Sequence, residues 1–216
     1  MDQQLITDIA NKVIQKLQEE ISVEIEASGR HVHLSRKEID VLFGKDYQLT
    51  KIKDLSQPGQ YACKERVTLI GPKGSLHQVI ILGPERNEAQ VEVSLTDALF
   101  LGIAAPVRES GKIEETPGVV ISSDSAMIRL ERGLIVAKNH IHMSVEDAQK
   151  LRLKNGDTVR VAVSSQRPLT FDDVLVRVSP AFKTYMHIDY DEANACKFAK
   201  GLRGRIIRQG GNERGD

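Results

Sequence analysis

Apolar and polar positions along the chain follow two different periods. Over residues 1–20, Leu5, Ile6, Ile9, Ala10, Val13, Ile14 and Leu17 fall on one helical stripe, with Asp8, Lys12, Lys16 and Glu19 elsewhere. That spacing predicts an amphipathic helix. From residue 21 the period shortens to two: ISVEIEASG (21–29) alternates as a strand, and Gly29 permits a sharp turn. Glu65–Ile70 and Leu76–Leu82 flank Gly-Pro-Lys-Gly as a hairpin. Strand-like runs recur at Val91–Val93, Val119–Ser122, Ala126–Leu130, Leu134–Met143, Thr158–Val163, Leu169–Val178 and Gly204–Arg208, while 44–62 reads as irregular. Capping-box spacings at Ser35/Glu38, Ser94/Asp97 and Ser144/Asp147 mark short helices. Another helix is expected from Asp189 or Asp191 to about Lys200, before Gly201. Many short strands with Gly and Pro turns predict a mainly β protein of small barrels capped by short helices, not a parallel α/β sheet.

One pattern occurs twice. RHVHLSRKEIDVL (30–42) and NHIHMSVEDAQKL (139–151) both read polar, His, β-branched, His, long apolar, Ser, then a short helix. On an extended segment, residues two apart project to the same side. His31 with His33, and His140 with His142, therefore each offer two imidazoles to one point, as the first two ligands of a transition metal do.

Composition narrows the function classes. Lys plus Arg and Asp plus Glu both number 30, so the formal charge is zero, which argues against nonspecific binding to nucleic acid or anionic membranes. Aromatic residues make up 4% and Trp is absent, a poor basis for base-stacking surfaces. No apolar run approaches the ~20 residues of a membrane span. The first residues lack the apolar core and cleavage site of a secretory signal. Cys63 and Cys196 are far apart and read as reduced thiols of a cytosolic protein.

Two imidazoles do not complete a catalytic zinc site, which takes three protein ligands and one open position. For the second pair His187 is the natural third ligand, since the remaining His77 sits mid-hairpin. For the first pair a carboxylate is expected, with Glu92 and Glu65 the strand-borne candidates. Arg86, on a loop after Gly83-Pro84, offers the planar fork that suits phosphate or carboxylate; Lys53, Arg66, Lys73 and Arg108 are further candidates. The helix of residues 1–20 either packs on its own chain or a partner subunit, or docks in another protein's groove.

HVHLS, GPERNEAQVEVSLTDA, NHIHMS with LKNGDTV, and HIDYDEANA stand in this order over about residues 21–208. Together they resemble the phosphate propanoyltransferases, phosphotransacylases of the propanediol-utilisation type. The resemblance implies exchange between a short-chain acyl-coenzyme A (propanoyl or acetyl) plus phosphate and an acyl phosphate plus coenzyme A. It implies two β-barrels and two zinc ions per chain: one held by His31, His33 and Glu92, the other by His140, His142 and His187. Arg86 becomes the phosphate-holding residue, and Ser28, Lys53 and Asn194 contact coenzyme A. The implied domains are 1–20 as an N-terminal helix, 21–29 with 138–208 as barrel one, 30–137 as barrel two with its connector, and 209–216 as a disordered tail. Some members reside in bacterial microcompartments and carry such an N-terminal helix. That implies a cytoplasmic protein inside a microcompartment, residues 1–20 meeting the shell or the enzyme core, and a homo-oligomer. Rival readings are a dinuclear zinc hydrolase of thioesters or phosphoesters, and a β-barrel binding module with structural zinc.

Overall fold

The computed structural model describes residues 3–20 and 22–208. The expected tail, 209–216, lies outside the described residues. In order, the elements are α1 (Gln3–Glu20), β1 (Ser22–Ala27), β2 (His31–His33), α2 (Arg36–Phe43), β3 (Lys51–Asp54), β4 (Tyr61–Ile70) and β5 (Ser75–Gly83). Then come β6 (Gln90–Glu92), α3 (Leu95–Leu101), β7 (Val107–Arg108), β8 (Val119–Ser122), β9 (Met127–Leu130), β10 (Leu134–Ala137) and β11 (His140–Met143). The chain continues with α4 (Val145–Leu151), β12 (Thr158–Val163), β13 (Leu169–Val178), β14 (Tyr185–Ile188), α5 (Tyr190–Ala195) and β15 (Arg203–Arg208).

Two compact units result. One takes in the chain up to Glu26, His140–His187 and the segment from Asn194; the other takes in Ala27–Asn139 and Ile188–Ala193. The first unit is built on a closed barrel in the order β1-β14-β11-β13-β12-β15. Val23, Ile25, Ile141, Val159, Val161, Val174 and Val176 are each 1% exposed or less, the inward half of strands whose residues alternate between faces.

The second unit is a nine-stranded sheet in the order β7-β10-β6-β2-β5-β4-β8-β9, with β3 paired to β4. The expectation of two barrels is corrected here: one sheet closes and this one stays open. Its path ends on β7 and β9, edge strands of two and four residues. Alternation tells which face of a strand is buried, but closure depends on a collective stagger of all strands, which no local pattern carries. The core beneath this sheet is formed by Val32, Leu34, Ile39, Leu69, Ile81, Val91, Leu101 and Ile121 among others.

Three local expectations also change. The single strand read over Leu134–Met143 is two: β10 pairs parallel with β6 and β7, whereas β11 joins the barrel. Lys138 N–H donates to Arg108 O and the Asn139 amide to Glu192 Oε1, bonds that hold the break. The irregular stretch contains β3, whose exposed face gives no alternation to read. The last helix stops at Ala195, and Lys197 takes φ 49° beyond it.

Candidate metal centre

β2 lies between β5, parallel, and β6, antiparallel, with His31 opposite Glu92 and His33 opposite Gln90. These four side chains share one face, and Val32 on the other is fully buried in the core. The exit of β2 is held by α2, where the Ser35 N–H donates to Glu38 Oε2 at 3.2 Å. His31 Nδ1 donates to the Gly29 carbonyl at 2.8 Å. Since a carbonyl only accepts, Nδ1 carries a proton, and Nε2 is the nitrogen left to face another partner; Nε2 stands 3.5 Å from Glu92 Oε2. Gly29 does not take the left-handed conformation of a sharp glycine turn; a Cβ there would meet the end of the half-exposed Tyr190 ring at 2.9 Å.

His33 is 3% exposed and its Nδ1 is buried with no hydrogen-bond partner. Burial, then the nearby His31 and Arg86 charges, hold it well below the usual imidazole range. Burial alone would push the Glu92 carboxyl up, but His31, His33, the Ser110 hydroxyl and Arg86 together outweigh it and bring it down to about 2. At neutral pH the face therefore presents the neutral His33 imidazole beside the ionised Glu92 carboxylate, the protonation states a metal ion requires of such ligands. The ligand atoms of His31, His33 and Glu92 all lie within 4.8 Å of one another, and among the described residues this set alone meets that test. A two-His, one-carboxylate donor set with an unsatisfied buried nitrogen fits zinc. Glu92 Oε1 is taken by the Ser110 hydroxyl at 2.7 Å and the Gln90 amide at 2.6 Å. Neither residue was singled out from sequence. Gln90 was legible as the residue two before Glu92, whereas Ser110, 18 positions on, carried no signal.

Glu65, the other carboxylate considered, accepts from the Tyr47 hydroxyl and from Thr50 N–H, both at 3.0 Å, and is not in the cluster. Arg86 is tied to the motif by its backbone, its N–H donating to Leu34 O at 2.9 Å, and its charge acts on both His33 and Glu92. Arg66 directs its guanidinium at the carbonyls of Lys64 and Glu65, both at 2.9 Å.

β11 repeats the arrangement within the barrel, between β13, parallel, and β14, antiparallel, with His140 opposite His187. The ring centroids of His140, His142 and His187 stand 4.7, 5.3 and 4.9 Å apart. Phe182 stacks on His142 at 4.3 Å with planes 13° apart. The helix that follows is capped differently from α2: Asp147 N–H donates to Ser144 Oγ, while Ser144 N–H reaches Thr184 Oγ1 and that hydroxyl donates to Asp147 Oδ2. The rings of the triad gather, yet its ligand atoms do not form a set as tight as that around Glu92.

Ser28 is half-buried after β1, its N–H donating to Ile188 O at 2.8 Å. Lys53 is exposed on β3, and Asn194 is exposed near the end of α5, its carbonyl accepting from Arg167. Cys63 and Cys196 are fully buried, and burial pushes the Cys63 thiol up to about 11.

The sequence model of one family, phosphate propanoyltransferase, matches residues 24–199, a span that holds every candidate residue above. The phosphate propanoyltransferase of Enterococcus faecalis is 61% identical over 205 residues, covering 94% of this chain and 97% of its own. That of Clostridioides difficile is 57% identical over 205 residues, covering 95% and 98%. The phosphate propanoyltransferase of Thermotoga maritima is 50% identical over 191 residues, covering 88% and 91%.

Proposed function

The chain belongs to the phosphate propanoyltransferase family, and from that premise we propose that it transfers a short-chain acyl group, propanoyl or acetyl, between coenzyme A and phosphate. The observation that carries the reading is a family match over 24–199 that encloses the buried His31–His33–Glu92 cluster. His31, His33 and Glu92 hold one zinc ion, and His140, His142 and His187 hold a second. Zinc, when bound, supplies a Lewis acid that polarises the thioester carbonyl and offsets charge on its oxygen, an effect worth several kcal/mol.

Arg86 grips phosphate with its guanidinium fork and orients one oxygen toward the carbonyl carbon. That oxygen forms the new C–O bond as the C–S bond breaks. The sulfur leaves with the electron pair as thiolate and takes up a proton, giving acyl phosphate and free coenzyme A. No covalent acyl-enzyme is needed, in keeping with two buried cysteines, one held as a thiol at neutral pH. Ser28, Lys53 and Asn194 contact coenzyme A; the exposed ammonium of Lys53 suits its phosphates.

The protein is cytoplasmic and enclosed in a microcompartment, reached through α1. Support comes from Leu5, Ile6, Ile9 and Val13, each at least 50% exposed, an apolar face that nothing among the described residues covers. On α3, Leu95, Leu99 and Phe100 are likewise more than half exposed and offer a surface for a homo-oligomer. No helix among the described residues is long and apolar enough to cross a membrane.

The test is an assay with propanoyl- or acetyl-coenzyme A in which phosphate is varied. Thiol release that rises with phosphate and yields acyl phosphate is the expected result. Release that ignores phosphate would point to a hydrolase instead.

A further inference from the structure

Around Glu92 the hydrogen bonds close on themselves. One N–H of the Gln90 amide donates to Glu92 Oε1 at 2.6 Å and the other to Ser110 Oγ at 2.9 Å. The Ser110 hydroxyl donates in turn to Glu92 Oε1 at 2.7 Å. Gln90 Oε1 is taken in turn by Gly111 N–H at 2.8 Å, which fixes the amide's orientation, since only its oxygen can accept. Gln90 is 2% exposed and Ser110 half-buried, so water competes little for these bonds. Glu92 Oε1 accordingly accepts two donors, and Oε2 is the oxygen that faces His31 Nε2 at 3.5 Å.

We propose that Gln90 and Ser110 are positioning residues that lock Glu92 to present one oxygen to the metal, so that the cluster's grip on zinc depends on a loop supplying no ligand. A carboxylate free to rotate would sample both oxygens and the side-chain torsions between them. Two donors on Oε1 remove that freedom before the metal arrives, which is how partners behind a ligand raise affinity. Gly111, at φ 99° in the turn after β7, ties the loop to the same amide. A shift of this turn is therefore transmitted to Glu92 through Gln90. Its backbone conformation favours glycine.

This inference rests on the reading that His31, His33 and Glu92 hold zinc, and the experiment separates the two. Zinc affinity is measured on the full-length chain by chelator competition, alongside the thermal midpoint of the metal-free protein. His31→Ala identifies which zinc belongs to this cluster. Ser110→Ala should weaken that zinc by about tenfold, and Gln90→Leu by about 10- to 100-fold. Ser110→Thr, which keeps the hydroxyl, should bind like the parent. A purely structural role would lower the metal-free midpoint and leave zinc affinity as it was. Should Gln90→Leu fail to fold, the Ala and Thr replacements of Ser110 decide. Parent-like zinc affinity in Ser110→Ala overturns the proposal and spares the metal site. Failure of His31→Ala to lose any zinc overturns both.

Discussion

His31 and His140 open the same five-residue pattern, yet the third donor beside them differs in charge. In each case the strand is flanked by one parallel and one antiparallel neighbour, and the residue opposite the first His comes from the antiparallel one: Glu92 across from His31, His187 across from His140. Register, not spacing along the chain, thus selects each third side chain. With Glu92 ionised, the first cluster would neutralise half the charge of a bound divalent ion, whereas an all-imidazole triad would neutralise none of it. The triad therefore suits the stronger Lewis acid, and the carboxylate cluster the tighter electrostatic hold. His31 Nδ1 is held by the Gly29 carbonyl, and the His142 ring is stacked on Phe182.

The largest expected effect comes from removing one ligand at each place. If both clusters hold zinc as proposed, His31→Ala and His140→Ala should each release one zinc per chain, leave the other, and lower turnover by at least about 100-fold, since electrostatic stabilisation of the oxyanion is a dominant catalytic contribution. Metal content with steady-state rates provides the check. Full zinc and parental turnover in His140→Ala would reduce the comparison to a single metal site.

Arg86 belongs beside the carboxylate cluster, where its charge acts on His33 and Glu92. A charged hydrogen bond is worth roughly 1.5–3 kcal/mol, so Arg86→Ala should lower phosphate-dependent turnover by about 10- to 100-fold. Arg86→Lys should fall between Ala and the parent, because charge survives but the fork does not. Zinc content should stay constant in both. Rate against phosphate concentration at fixed acyl-coenzyme A decides, and an unchanged dependence in Arg86→Ala would remove the residue from the mechanism.

A pH measurement sharpens the comparison in the metal-free protein. Burial lowers His33, so below about 6.5 the unfolded chain binds a proton that the folded chain refuses. The unfolded state then holds more protons, and stability falls as pH is lowered through that window. Glu92, at about 2 when folded against about 4.3 when unfolded, adds stability that is present above the unfolded value. That part is lost as pH falls toward the folded one. Denaturant midpoints between pH 7.5 and 5 should therefore slope less in His33→Gln than in the parent; equal slopes would show that His33 is not the group responsible.

Smaller still is the effect of the stacked ring. An aromatic pair contributes about 0.5–1.5 kcal/mol beyond burial, so Phe182→Leu should weaken the zinc binding proposed for the triad by about 2- to 12-fold and leave the carboxylate cluster unchanged. Chelator competition reads both in one titration, and equal weakening of both would dissolve the distinction. Least affected of all should be the variant lacking residues 1–20, since the family match begins at residue 24. It should keep its turnover but lose encapsulation in a reconstituted compartment; a folded yet inactive truncation would place α1 in the catalytic body.

Much of this was legible in the sequence because it is local. The His-x-His faces follow from strand geometry, and the starts of α2, α3 and α4 from capping side chains three residues apart. Strand pattern alone left Glu92 and Glu65 equal, and only the family resemblance pointed to Glu92. The physical reason lies in the tertiary structure, where β6, carrying Glu92, pairs with β2 and β4, carrying Glu65, does not. Not legible at all were the open second sheet, the division of 134–143 between two sheets, and the part played by Ser110. Each depends on which distant strand or loop arrives alongside, and that is settled by the summed burial and hydrogen bonding of the whole fold. Side-chain periodicity and caps act within a few residues and so can be read directly from the chain. Register and closure are collective, and only the tertiary structure decided them.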